Sequence, residues 1–131
     1  MDPVFVTGGT GYIGRPLIGA LHERGYVVRA LVRPGSEGKL PHAALPVVGN
    51  ALDSSFASAI PHGASVVHLV GTPHPSPAKA AECLRVDLAS IRATVEAARR
   101  AGSLLETSRK QEYPYTRFPS VLLQPLGHLS V

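Results

Sequence analysis

The chain has 131 residues, room for one domain and not for two, and at 44% hydrophobic and 17% charged it is globular rather than disordered. Its formal net charge of +4 invites a nucleic-acid reading, but the cations form no run: Arg15, Arg24, Arg29, Arg33 and Lys39 against Glu23 and Glu37 leave +3 in one short stretch, where a small anionic ligand is the simpler counter-charge. No apolar run reaches the roughly 18–20 residues that span a bilayer. The N-terminus shows no basic stretch or cleavage site, and Cys83 has no second cysteine to pair with, so the expectation is a cytoplasmic chain with neither nucleic acid nor membrane as partner.

Val4-Phe5-Val6 is a short, wholly apolar run that ends in Thr7-Gly8-Gly9, which predicts a central strand. Ile13, Leu17, Ile18 and Leu21 then fall at helical spacing, with Pro16 in the first turn and Gly25 as the stop. Tyr26 to Val32 predicts a second strand, ended by Arg33-Pro34-Gly35-Ser36, and residues 34–44 a loop. Leu45 to Gly49 predicts a third strand, and Asp53-Ser54-Ser55 the cap of a short helix carrying Phe56 and Ile60. Ala64 to Val70 predicts the fourth strand. After three prolines in five residues, Ser76-Pro77 opens a helix to about Arg100, with an expected apolar stripe of Leu84, Leu88, Ile91, Val95 and Ala98. Strand and helix alternate, which predicts an α/β doubly wound parallel sheet of Rossmann type, strand order 3-2-1-4. Residues 103–131 hold Pro114, Pro119 and Pro125 without sustained periodicity. They are expected to be an irregular tail that does not continue the alternation, with a poor strand at residues 103–107 and a better but short one at Val121-Leu122-Leu123. The sheet is then incomplete beyond strand 4, with an open edge through which copies could associate.

Gly8, Gly11 and Gly14 have the spacing G-x-x-G-x-x-G between a predicted strand and a predicted helix. In that context the first glycine permits the turn off the strand, the second lets a pyrophosphate approach the backbone, and the third lets the helix pack close. The anion then sits at the helix N-terminus. A nucleoside-triphosphate loop is excluded, because Arg15-Pro16 stands where Lys-Ser/Thr is needed. The second strand ends Leu31-Val32-Arg33 with no acid for a ribose 2′-hydroxyl, and Lys39 follows. Arg33 can pair with a 2′-phosphate, so NADP(H) is expected ahead of NAD(H). Arg15 is a second candidate for a phosphate.

Val6-Thr7-Gly8-Gly9-Thr10-Gly11-Tyr12-Ile13-Gly14 resembles the short-chain dehydrogenase/reductase superfamily in its extended and atypical (NmrA-like, NAD(P)H-binding) branches. Leu31-Val32-Arg33-Pro34, Val48-Gly49-Asn50-Ala51-Leu52-Asp53 and Val66-Val67-His68-Leu69-Val70-Gly71 extend the resemblance over about residues 3–102. It implies a dinucleotide site made of Thr7, Gly8, Gly11, Tyr12, Ile13, Gly14, Arg33, Lys39, Asn50, Ala51, Leu69, Val70 and Gly71. Asn50 stands where the family usually has Asp beside the adenine.

The family's catalytic set is not in register. Its Ser belongs just past Gly102, where Thr107 and Ser108 stand in non-matching surroundings. Its Tyr-x-x-x-Lys is absent, because Tyr113 is followed four residues on by Arg117 and Tyr115 by Pro119. Its helical Asn would fall near Asp87. The catalytic residues are therefore unassigned, and a truncated or frame-shifted C-terminal stretch is expected. Three functions stay open: an NADP(H)-dependent oxidoreductase or epimerase/dehydratase on an unidentified small substrate, a non-catalytic NmrA-like dinucleotide-sensing regulator, and an inactive fragment. The six histidines show no ligand spacing, so no metal is expected.

Overall fold

A computed structural model describes residues 2–71 and 76–107, with Leu104–Thr107 described by their backbone path. Strands β1 (Pro3–Thr7), β2 (Val27–Val32), β3 (Ala44–Val48), β4 (Ser65–His68) and β5 (Leu104–Thr107) alternate with helices α1 (Gly14–Glu23) and α2 (Ala80–Ala101) and short 3₁₀ turns at Glu37–Lys39, Ser54–Ala59 and Pro77–Lys79. All strand pairs are parallel, in the order β3-β2-β1-β4-β5. The expected 3-2-1-4 order and Rossmann-type sheet are present.

The central strands are apolar on both sides because both faces of the sheet are covered. Along β1, Val4 and Val6 join Ile18, Val28, Ala30 and Val32 under α1, while Phe5 turns to the other face with Leu31, Val66 and the small residues of α2. There Phe5 stacks on Phe56, ring centroids 5.8 Å apart, and Asp53 holds the turn that carries Phe56 by accepting the Ser55 N–H at 2.7 Å. The six-residue stretch predicted as a short helix is a 3₁₀ turn. Helix α1 closes where the sequence places its stop, with the Gly25 N–H on the His22 carbonyl and the Tyr26 N–H on the Leu21 carbonyl.

Two expectations need correction. The face that α2 buries is Ser90, Ala93, Thr94, Ala97 and Ala98, at helical spacing; of the expected stripe, Ala98 lies on that face and Val95 packs against it, while Leu84 is 62% exposed. Small side chains let α2 lie close on the sheet, and that close approach outweighs the larger apolar area of Leu84, Leu88 and Ile91. The second correction concerns the tail. Leu104–Thr107 is a full strand, paired with β4 from Ser65↔Leu104 to His68↔Thr107. The regular fold therefore runs past Gly102, and the edge of β4 that was expected to stand open is paired. The physical reason is that α2 returns the chain beside β4, whose backbone groups otherwise lack partners. Residues 108–131, including Ser108, Tyr113, Arg117 and Pro119, lie outside the described residues.

At the end of α2, Arg99 and Arg100 both bind Glu96. The hydrogen bond from Arg99 leads the effects that hold the Glu96 carboxyl below its ordinary range. That contribution is present above the unfolded-state value and fades as pH falls through the folded one. No helix among the described residues is long and apolar enough to cross a membrane.

Candidate functional site

A cleft of about 470 Å³ opens at the carboxyl ends of the strands, where the chain order reverses between β1 and β4. Its size is within the range of small-molecule sites. The loop after β1 forms one wall. Gly8 has φ +78, and a Cβ there would come within 2.7 Å of the Leu69 carbonyl carbon. The turn off β1 thus presses against the backbone leaving β4, and this is why regular pairing stops at His68 rather than at Val70 as the sequence suggests. The next ladder bond survives, with the Leu69 N–H on the Thr7 carbonyl at 3.0 Å.

The other glycines divide the work differently from the expectation. A Cβ on Gly14 would collide with the Gly8 carbonyl oxygen and with Gly9, so Gly14 lets the helix start close over its own loop. The close approach of α1 to the sheet belongs to Gly9, where a Cβ would meet Ile18 of α1 at 2.9 Å and Ala30 of β2 at 3.2 Å. Gly11 is distinct. A Cβ there meets only the Gly8 carbonyl oxygen, at an ordinary 3.4 Å. The fold does not require this glycine, yet it lines the cleft. A bare backbone at that point suits a ligand lying against it. Helix α1 begins there without a side-chain cap or an acid in its first turn, so its positive end stays available to an anion.

Of the residues expected at the site, Gly8, Gly11, Arg33, Asn50, Ala51, Leu69, Val70 and Gly71 line the cleft. Arg33 is exposed at the end of β2, in a turn closed by the Ser36 N–H on its carbonyl at 3.0 Å. Asn50 shapes the loop after β3, its Oδ1 accepting the Leu52 N–H at 2.9 Å. Five expected residues are elsewhere. Thr7 is fully buried, its Oγ1 2.8 Å from His68 Nδ1, and Thr94 Oγ1 of α2 approaches the same nitrogen at 3.0 Å. Those contacts lock β1, β4 and α2 together below the cleft floor. Gly14 is packed under the loop. Tyr12, 98% exposed, and Ile13 stand out at the loop tip. Lys39 presents its carbonyl, rather than a lining atom, to Arg15.

The expected set lacks Thr10, Leu31, Val32, Gly49 and Leu52, each next to a residue it names or one further along, and also Ser36, Glu82 and Val86. The last two sit four apart on α2, a spacing that puts them on one helix side. The expected stripe drew attention to a different side. Asp87, next along α2, is half-buried, and the β4–β5 register brings position 107 beside His68 at the carboxyl end of the sheet.

Residues 4–120 match the sequence pattern of the NAD dependent epimerase/dehydratase family. The chain belongs to that family. A 3-diazoavenalumate denitrifying reductase of Streptomyces sp is 38% identical over 109 residues, which are 76% of this chain and 34% of the reductase. A short-chain dehydrogenase/reductase superfamily protein of Agrobacterium tumefaciens, solved with bound NAD, is 26% identical with a TM-score of 0.61, over 81% of this chain and 32% of that one. An epimerase of Methanothermobacter thermautotrophicus, also 26% identical, gives 0.67 over 81% and 34%. The chain thus spans about a third of the length of these relatives. What it shares with the epimerase/dehydratase family is the part that carries the glycine loop, the five strands and the cleft.

Proposed function

We propose that this chain binds a nicotinamide dinucleotide in the cleft, with NADP(H) preferred over NAD(H). The carrying observation is the pairing of Gly11, a cleft residue whose missing Cβ the fold does not need, with Arg33 at the β2 end of the same cleft. In this reading the pyrophosphate lies over Gly8 and Gly11 at the start of α1, and the adenosine runs toward Gly49, Asn50 and Ala51. The ribose 2′-phosphate meets Arg33. Glu37, the acid that follows Arg33 in sequence, stands in the 3₁₀ turn and not on β2. Bound NADP(H) would supply hydride chemistry, and this chain's residues bind and orient it. The role proposed for the chain is holding the dinucleotide. Reduction or epimerisation of a small substrate belongs to the reading for the longer proteins it resembles, because this chain spans about a third of their length and has no Tyr-x-x-x-Lys.

Titration of NADPH and NADH into wild type and Arg33→Ala tests the preference. A charge-assisted hydrogen bond to phosphate is worth about 1.5–3 kcal/mol, so Arg33→Ala should weaken NADPH about ten- to hundred-fold and leave NADH within about threefold. Equal wild-type affinities for the two cofactors would remove the NADP preference and keep the site.

A further inference from the structure

Arg15 occupies a place that its own helix disfavours. It is the second residue of α1, whose first turn holds no acid, and a cation there faces the positive end of the helix dipole. Its guanidinium reaches away from α1. Nε donates to the Lys39 carbonyl oxygen at 3.1 Å, across 24 residues of sequence. The bond ties the first turn of α1 to the last residue of the 3₁₀ turn Glu37–Lys39.

That turn continues directly from the cleft. The Ser36 N–H is held by the Arg33 carbonyl and the Lys39 N–H by the Ser36 carbonyl, each at 3.0 Å, so residues 33–39 form one hydrogen-bonded chain. Arg33 and Ser36 line the cleft. On the far side Leu40 is buried under α1 with Ile18 and Ala30. The segment is therefore anchored at β2 and at Leu40, and its exposed middle is fastened to α1 through Arg15.

We infer that Arg15 is a positioning residue for recognition of the 2′-phosphate. It acts through the Lys39 carbonyl, keeping residues 33–39 against α1 so that Arg33 and Ser36 meet the phosphate together. The inference rests on the NADP reading above. It assigns Arg15 a role through its Nε–H donor, not through its charge on the pyrophosphate. Gln separates the two roles, because its amide nitrogen lies as many bonds from Cα as Nε does and it carries no charge.

The test compares binding of 2′,5′-ADP and ADP to the full chain as wild type, Arg15→Ala and Arg15→Gln. Loss of one hydrogen bond that orders a loop is expected to weaken 2′,5′-ADP about fivefold in Arg15→Ala, with ADP changed less than about twofold. Arg15→Gln is expected to restore 2′,5′-ADP binding to within about twofold of wild type. An unchanged 2′,5′-ADP to ADP ratio in Arg15→Ala overturns the inference, as does a Gln variant as weak as Ala. In both cases a wild type that still prefers 2′,5′-ADP leaves the NADP reading standing. A wild type that binds the two equally overturns both.

Discussion

Gly11→Val should lower NADPH affinity by about 100-fold or more while the chain stays folded, with a melting temperature within about 2 °C of wild type. The two halves of that expectation come from one geometric fact. The Cβ position of Gly11 has only the Gly8 carbonyl oxygen nearby, at 3.4 Å, and its φ is not in the left-handed region. A Cβ can be added there without displacing protein. It then projects where the pyrophosphate must touch backbone, and about 2.7 kcal/mol of lost contact corresponds to the hundredfold. Calorimetric titration of NADPH together with a thermal melt reads both halves. A variant that binds normally would place the ligand elsewhere, and one that fails to fold would contradict the spatial argument.

Gly8→Ala should do the opposite, losing stability before any question of ligand arises. Its φ of +78 is strained for any residue with a Cβ, and that Cβ would stand 2.7 Å from the carbonyl carbon of Leu69 and 2.9 Å from the Val70 nitrogen. Both obstacles are backbone, held by the β1–β4 ladder and by the Thr7–His68–Thr94 contacts beneath it. Left-handed strain and unrelieved overlap together are expected to cost about 3 kcal/mol, a fall of about 10 °C in melting temperature for a domain of this size. A melting temperature unchanged from wild type would show that the loop has another conformation available.

The contrast between these two glycines marks how far the sequence could be read. The spacing of Gly8, Gly11 and Gly14 after an apolar run identified the loop, and strand–helix alternation gave the sheet order. Spacing alone could not say which glycine serves the fold and which the ligand. That depends on the approach of Leu69 to Gly8 and of Ile18 to Gly9, contacts between segments remote in sequence. Helix α2 misled for a related reason. Its larger apolar residues make a convincing stripe, but beside Ala98 the sheet accepts Ala93 and Ala97, because burial follows how closely the backbones can approach. Glu82 and Val86 were missed at the cleft through the same choice of helix face. Strand β5 was faint in the sequence because Glu106 and Thr107 break its apolar run; what establishes it is the waiting edge of β4. Thr7 was correctly seen as the end of β1, but its side chain serves His68 below rather than the cleft above.

The central claim, that this cleft holds a nicotinamide dinucleotide, is tested most directly by titrating the chain into NADPH and following the nicotinamide fluorescence. The expected result is a saturable change with about one site per chain, absent in Gly11→Val. No saturable change in wild type at protein concentrations up to about 1 mM, where even binding of about −4 kcal/mol would register, would contradict it.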